Sequence, residues 1–402
     1  FASFPTNETG PCVTSAIRMA GLGSLWFGTP EGVYRQGDDG VMLELDGSML
    51  PGYDPQTQAA PRITTIKEEN GEVWVGTEFG LGRYTLEGEP ADPLVVPFEN
   101  TDVHVTAIEH GFQNEVWIGT ATRGLYRRNS QGGWINYTPD SAGNDFVDLQ
   151  INGLTYEADA LWIATPSGIS VFDTNSNTFI DPVLEQGGLL RTNDIKGISS
   201  GGGRVFAESD AGVSIRSEQG AWYTIRRDDN ETIPINAGTN EVAGTVYDGQ
   251  YLWVALRPSR LQPRGSLLRR SADPLENENN VLFSAEQIGL TGISEVGRVS
   301  MSSPGVEVII GMCGDMANPG GMAVTGSRDL LVETVSEQAI TGFLRGHGAD
   351  AGLMEGPDGQ PMIVGREDQR PVADQLRPDS LARLDLPTDF PSPPTDCGVW
   401  VS

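Results

Sequence analysis

Residues 105–128 read VTAIEHGFQNEVWIGTATRGLYRR, and this stretch decides the fold. Its first five residues read as a half-buried β-strand; a turn follows, then a second strand centred on Trp117, then GLYRR at 124–128 as a third. The middle phrase recurs along the chain. VWIGT around Trp117 becomes LWFGT around Trp26, VWVGT around Trp74, LWIAT around Trp162 and LWVAL around Trp253, at intervals of roughly 45 residues or a multiple of that. One apolar-aromatic strand in every ~40–50 residues marks a β-propeller blade, a four-stranded antiparallel sheet stacked radially around a channel.

Working outward, the order of strand, turn, Trp strand, glycine-led third strand, turn and fourth strand can be laid along the chain eight times. Inner strands are expected at 14–19, 63–67, 105–109, 151–156, 195–199, 242–246, 296–301 and 351–354, and second strands around Trp26, Trp74, Trp117, Trp162, Phe206, Trp253, Ile309 and Ile363. The aromatic is lost in the last two units. The expected fold is therefore all-β, a single β-propeller of eight four-stranded blades with seven as the alternative, spanning 1–402. Residues 1–12 would be an N-terminal closing segment, 13–386 the blades, and 387–402 a Pro-rich tail and closing strand. Closure of the ring by the two chain termini would leave no exposed sheet edge.

The pattern VTAI…NEVWIGTATRGLYRR at residues 105–128 resembles the two-component-regulator propeller repeat, whose unit reads LWIGT…GLYRY. The resemblance covers units one to five, part of unit six, and units seven and eight weakly. It implies a non-catalytic module that binds a ligand or partner, as in periplasmic sensor domains and secreted bacterial proteins. No kinase or DNA-binding region follows the repeats within the 402 residues, which points to a stand-alone secreted member.

Charge narrows the partners. There are 55 acidic and 26 basic residues, for a net −29, and Lys67 and Lys196 are the only lysines. Such a surface repels phosphate backbones and anionic lipid, which excludes nucleic acid and bare membrane as partners. Scarce lysine fits either a high-salt host or a GC-rich genome that favours Arg codons. No run of 18 apolar residues occurs, so direct membrane insertion is not expected. The chain begins at Phe1, and a removed secretion leader is the expected cause.

Of the three cysteines, Cys12 and Cys397 lie where a circular fold must bring the chain ends together, and a Cys12–Cys397 disulfide is expected to clasp the ring. In the chain-entropy model so long a loop contributes on the order of 5 kcal/mol. The alternative is three reduced cysteines in a cytosolic protein. A clasp would place the protein in an oxidising setting, extracellular, at the cell surface or in the periplasm, with Cys313 as an odd thiol.

Propellers usually bind at one mouth of the channel, where loops entering the inner strands meet loops between second and third strands. Residues just before the inner strands include Arg62, His104, Gln150, Asp194 and Glu241, a mixed polar ring suited to a glycan or peptide. Unit six departs from the rest. The run ALRPSRLQPRGSLLRR at 255–270 concentrates arginines in an acidic protein, and Arg257, Arg260 and Arg264 fall on an enlarged loop suited to a carboxylate or sulfate. A second enlarged loop, 312–322, sits in the next unit. The candidate ligand-binding set is thus Arg62, His104, Gln150, Asp194, Glu241, Arg257 and Arg264.

No catalytic or metal set emerges. His104, His110 and His347 are few and dispersed, the first two bracketing one strand. Asp173, Asn175 and Asn177 imitate the opening of a calcium loop but lack its glycine and its bidentate Glu, so a turn is expected and no cofactor. The leading expectation is a secreted non-enzymatic propeller that binds a polar ligand or another extracellular protein, as an adhesin or an assembly subunit. A propeller lyase with His104 or His347 as base, and a sensor ectodomain, are the alternatives.

Overall fold

The computed structural model describes residues 15–18, 25–30, 32–36, 42–69, 71–91, 103–111, 115–143, 145–227, 232–273, 280–284, 295–301, 307–313, 322–326, 352–355, 361–367 and 370–375. Strands follow one another as up-and-down meanders, each sheet built from consecutive segments. The first blade is β1 (Ser15–Arg18), β2 (Leu25–Thr29), β3 (Gly32–Gln36) and β4 (Met42–Glu44). The second is β5 (Ile63–Glu69), β6 (Glu72–Thr77) and β7 (Leu81–Thr85), with the bridge between Tyr84 and Pro90 holding a short segment in the fourth position. The third is β8 (Val105–His110), β9 (Val116–Thr120), β10 (Leu125–Arg128) and β11 (Trp134–Tyr137), and the fourth is β12 (Gly153–Glu157), β13 (Ala160–Thr165), β14 (Gly168–Asp173) and β15 (Thr178–Val183). The fifth is β16 (Gly197–Gly201), β17 (Arg204–Ser209), β18 (Gly212–Arg216) and β19 (Trp222–Ile225), and the sixth is β20 (Val242–Tyr247), β21 (Tyr251–Leu256), β22 (Ser266–Ser271) and β23 (Val281–Ser284).

Six four-stranded blades replace the expected eight, or seven. The seventh unit is a three-stranded sheet among the described residues, β24 (Glu295–Met301), β25 (Glu307–Cys313) and β26 (Met322–Gly326). It lies between the sixth and first blades, with β24 beside both β20 and β1. The eighth unit is another three-stranded sheet, β27 (Gly352–Glu355), β28 (Pro361–Glu367) and β29 (Arg370–Gln375), and the succession of neighbouring inner strands closes without it. The count failed where the sequence had lost its aromatic: Ile309 and Ile363 mark strands, but strands alone do not make four-stranded blades. Residues 1–12 and 387–402, with Cys12, Cys397 and the terminal closing strand, lie outside the described residues, as does His347.

Each of the first five blades buries its face against the next one. Trp26 and Val33 pack with Ile63, Ile66, Val73 and Val75 of the second blade. Trp117 packs with Ile151, Leu154 and Ile163 of the fourth, and Phe206 with Val242, Leu252 and Val254 of the sixth. A blade alone has no core, so the fold is cooperative between neighbours; each fully buried aliphatic side chain contributes ~1.5–3 kcal/mol. The small residue two places after each Trp sets the blade spacing. A Cβ on Gly119 would meet Ile151 Cγ2 at 2.6 Å, and one on Gly28 would meet Ile63 Cγ2 at 2.3 Å.

The residue three places after the Trp shapes the turn. Thr29, Thr77, Thr120 and Thr165, and Ser209 in the fifth blade, each donate a side-chain hydroxyl to the carbonyl of the glycine that opens the third strand, at 2.7–3.2 Å. Gly124 shows why that partner is glycine: its φ is +76°, and an added Cβ would lie 2.3 Å from the Tyr137 carbonyl oxygen. In the sixth blade Leu256 occupies the hydroxyl position. The short turn is lost there, and the chain makes a nine-residue excursion, 257–265, between β21 and β22.

Candidate functional site

The loops entering the inner strands and the loops between second and third strands share one face. Arg62 Nε lies 3.6 Å from Glu78 Oε1 in the second blade. The Ala121 amide donates to the His104 carbonyl at 3.0 Å in the third. Ser167 Oγ donates to Asp148 Oδ2 at 2.6 Å in the fourth, and the Arg257 amide donates to the Glu241 carbonyl at 3.0 Å in the sixth. All seven candidate residues stand on this face. Arg62, His104, Gln150, Glu241 and Arg257 are exposed there, and Asp194 and Arg264 are half-buried.

One charged cluster links the fifth and sixth blades, and sequence reasoning had only part of it. Lys196 Nζ donates to Asp194 Oδ2 at 2.6 Å and lies 3.9 Å from Asp210 Oδ2. The hydrogen bond to Asp194 holds the Lys196 proton more tightly than in a free lysine, while Arg257 is near enough to oppose it. Lys196 falls within the expected inner strand 195–199 and was not among the candidate residues. As one of two lysines, just after the Asp194 position, it carried a signal that could have been followed.

The sixth-blade loop is built rather than loose. Its own turn is closed by the Ser259 and Gly265 amides, which donate to the Gln262 carbonyl at 2.9 and 3.0 Å. Ser259 Oγ donates to the Ala237 carbonyl at 2.7 Å, which pins the loop to the 3-10 turn Ile235–Ala237 before β20. Gly238, with φ +74°, makes room for it: a Cβ there would lie 2.5 Å from Ser259 Oγ. Of the arginine-rich run, Arg269 and Arg270 are not on the loop at all. They lie on β22 with 1% and 0% of their surface exposed. Arg270 donates to the carbonyls of Thr232, Ser271 and Asp273, and burial lowers its proton affinity to a pKa of about 10.

Apolar side chains mark the same face. Among the described residues nine large apolar side chains are exposed, and six of them, Met49, Phe79, Leu149, Leu189, Ile235 and Leu261, stand in its loops. The other three, Leu43, Ile135 and Ile180, are on the outermost strands β4, β11 and β15. A cleft of about 560 Å³ opens between the loop bearing Leu189 and strand β19, where Arg191, Trp222 and Tyr223 contribute to its walls. These positions lie in loops whose geometry no repeat specifies, so the pattern of the blades gave no sign of them.

His104 and His110 stand at opposite ends of β8, and His110 is largely buried, edge-on to Trp74 at 6.0 Å. Burial, reinforced by the Lys67 charge, pushes it down to about 3. Among the described residues no group of three or more His, Cys, Asp or Glu side chains could hold a metal ion. In the calcium-like segment, Asp173 Oδ1 accepts the amides of Asn175 and Ser176 at 2.8 and 3.2 Å within the β14–β15 turn.

The fold is a β-propeller. Among solved structures, the extracellular domain of a hybrid two-component system from B. thetaiotaomicron superposes with a TM-score of 0.61 at 12% identity, covering 91% of this chain and 44% of that one. The chain thus spans less than half of that domain. The Neurospora crassa Pan2 WD40 domain superposes with a TM-score of 0.54 at 11% identity, covering 81% and 92% of the two chains. YCF48 bound to D1 peptide does so with a TM-score of 0.54 at 12% identity, covering 83% and 96%. No family model matches the chain, and no curated protein does. At these identities the likeness is one of fold. The first structure is consistent with the sensor-type repeat that residues 105–128 resemble. No helix among the described residues is long and apolar enough to cross a membrane.

Proposed function

We propose that this protein is a non-enzymatic binding module that takes a protein or peptide partner at the mouth defined by Arg62, His104, Gln150, Asp194, Glu241, Arg257 and Arg264. One observation carries the reading: six of the nine exposed large apolar side chains stand on that face, and none in the turns opposite it, among the described residues. Single exposed apolar residues are ordinary, whereas their gathering on one face marks an interaction surface. Basic and acidic side chains alternate between them, as Arg62 with Glu78 and Lys196 with Asp194 and Asp210. Within a −29 chain this is a face that a partner can approach without meeting only like charge.

Two comparisons support the same reading from outside: a propeller of similar fold has been solved with a peptide bound, and another is the extracellular domain of a hybrid two-component system. The extracellular or periplasmic placement, the adhesin or assembly role and the Cys12–Cys397 clasp belong to this proposal as well. A peptide array and a glycan array probed with the intact protein test it. Binders should be lost in the Phe79→Asp/Leu149→Asp variant and kept in Ile135→Asp on the outer strand β11. Binders indifferent to the first variant and lost in the second would overturn the reading.

A further inference from the structure

The corner of the mouth formed by the 3-10 turn Ile235–Ala237 and the 257–265 loop differs from every other part of it. Ile235 and Leu261 are its most exposed apolar side chains, at 64% and 60%. They are held out by a loop that is internally closed and hydrogen-bonded to its neighbour, through Ser259 to Ala237 and through Gln262 Nε2 to the Asn236 carbonyl at 3.4 Å. Pro258 and Pro263 restrict it further. A rigid loop that keeps apolar side chains in water loses little freedom when a partner covers them, which is the condition for a favourable contact.

Charge at this corner is also unusual. Several cations elsewhere meet carboxylates: Arg62 with Glu78, Arg83 with Glu72, Arg127 with Glu115, Arg204 with Glu218, and Lys196 with Asp194. Arg257 and Arg260 are exposed, and neither makes an ion pair with the described residues. In a chain with more than two acids per base, 55 to 26, two exposed guanidinium groups on one loop, beside exposed Ile and Leu, concentrate positive charge at this corner. Guanidinium groups present fixed donors that match a carboxylate two by two.

We infer that this corner is the anchor for a peptide segment that carries a carboxylate next to a bulky apolar side chain, the carboxylate going to Arg257 and Arg260 and the apolar group to Ile235 and Leu261. The inference rests on the reading of the mouth as a partner site and names the partner's chemistry and its place. Long-range repulsion from the acidic body reaches only ~8 Å at physiological salt, so contact at this corner is governed by the charges within it, the loop arginines and the adjoining Glu241.

Panning a phage-displayed random heptapeptide library on the intact protein tests it. Recovered peptides are then measured by fluorescence anisotropy against wild type, Leu261→Ser, Arg257→Ala/Arg260→Ala and Phe79→Asp/Leu149→Asp; all the changes are at exposed positions, and thermal melts check the fold. The expected result is enrichment of Asp or Glu beside Leu, Ile or Phe, with at least a tenfold loss of affinity in each of the first two variants. Peptides of basic or uncharged type, or peptides unaffected by those two variants but lost in Phe79→Asp/Leu149→Asp, would overturn the corner while leaving the mouth as the site. Recovery of no binders, or of binders indifferent to all three variants, would overturn both.

Discussion

At the scale of single residues, the repeat is a set of positions relative to each tryptophan, and His110 shows the cost of filling one with a titratable group. It ends β8 buried against Trp74, and both ring nitrogens lack a hydrogen-bond partner. Its pKa is pushed down to about 3 by burial and by Lys67, against about 6.5 in an unfolded chain. Between those values the unfolded chain binds a proton that the folded one refuses. Stability from this group is therefore complete above pH 6.5 and lost as pH falls toward 3, at about 1.4 kcal/mol per pH unit. Urea denaturation at pH 7, 6 and 5 should show a decline that is shallower in His110→Gln than in wild type. Parallel declines would mean that His110 titrates normally.

At the scale of elements, the blade is held by a stack of arginine on tryptophan. In β3, β7, β10 and β22 an arginine stands directly across from the tryptophan of the second strand, and its guanidinium lies 4.9–5.9 Å from the ring centre in Arg35, Arg83, Arg127 and Arg269. The final position of the third-strand pattern thus records a cation resting on an aromatic face. Arg127 adds an ion pair to Glu115 at 2.5 Å with both side chains largely buried, so Arg127→Leu should cost roughly 3 kcal/mol, measured by chemical denaturation. A cost below about 0.5 kcal/mol would show that the stack and pair are incidental. The same regularity explains what was legible. Gly, Thr and Trp at fixed offsets announce strand, turn and blade spacing, and Leu256 in place of a hydroxyl announces the enlarged loop. The loop positions of Arg62, His104, Gln150, Asp194, Glu241, Arg257 and Arg264 were legible and share one face; that this face binds a partner is the proposal. The exposed Ile235 and Leu261 were not legible, because a loop's side-chain direction depends on hydrogen bonds such as Ser259 to Ala237, far apart in sequence.

At the scale of the whole molecule, six four-stranded blades and the β24–β26 sheet form a ring whose core lies between units, and the chain as a whole carries a net charge of −29. Self-repulsion of that size favours expansion and is screened by salt. The melting temperature should rise on going from ~10 mM to ~0.15 M NaCl at pH 7, conditions that shorten the screening length from ~30 to ~8 Å; a flat or falling trend would mean that the acids are compensated locally. The eight-unit expectation failed at this scale because sequence periodicity counts strands, whereas ring membership is decided by which inner strands meet. The proposed function lies at one face, and hydrogen exchange tests that proposal directly. The intact protein would be compared with and without a saturating peptide recovered by panning, amide by amide. Protection gathered in the mouth loops, above all 232–241 and 257–265, is the expected result. Protection gathered instead in the turns of the opposite face, or along the outer strands β4, β11 and β15, would contradict it.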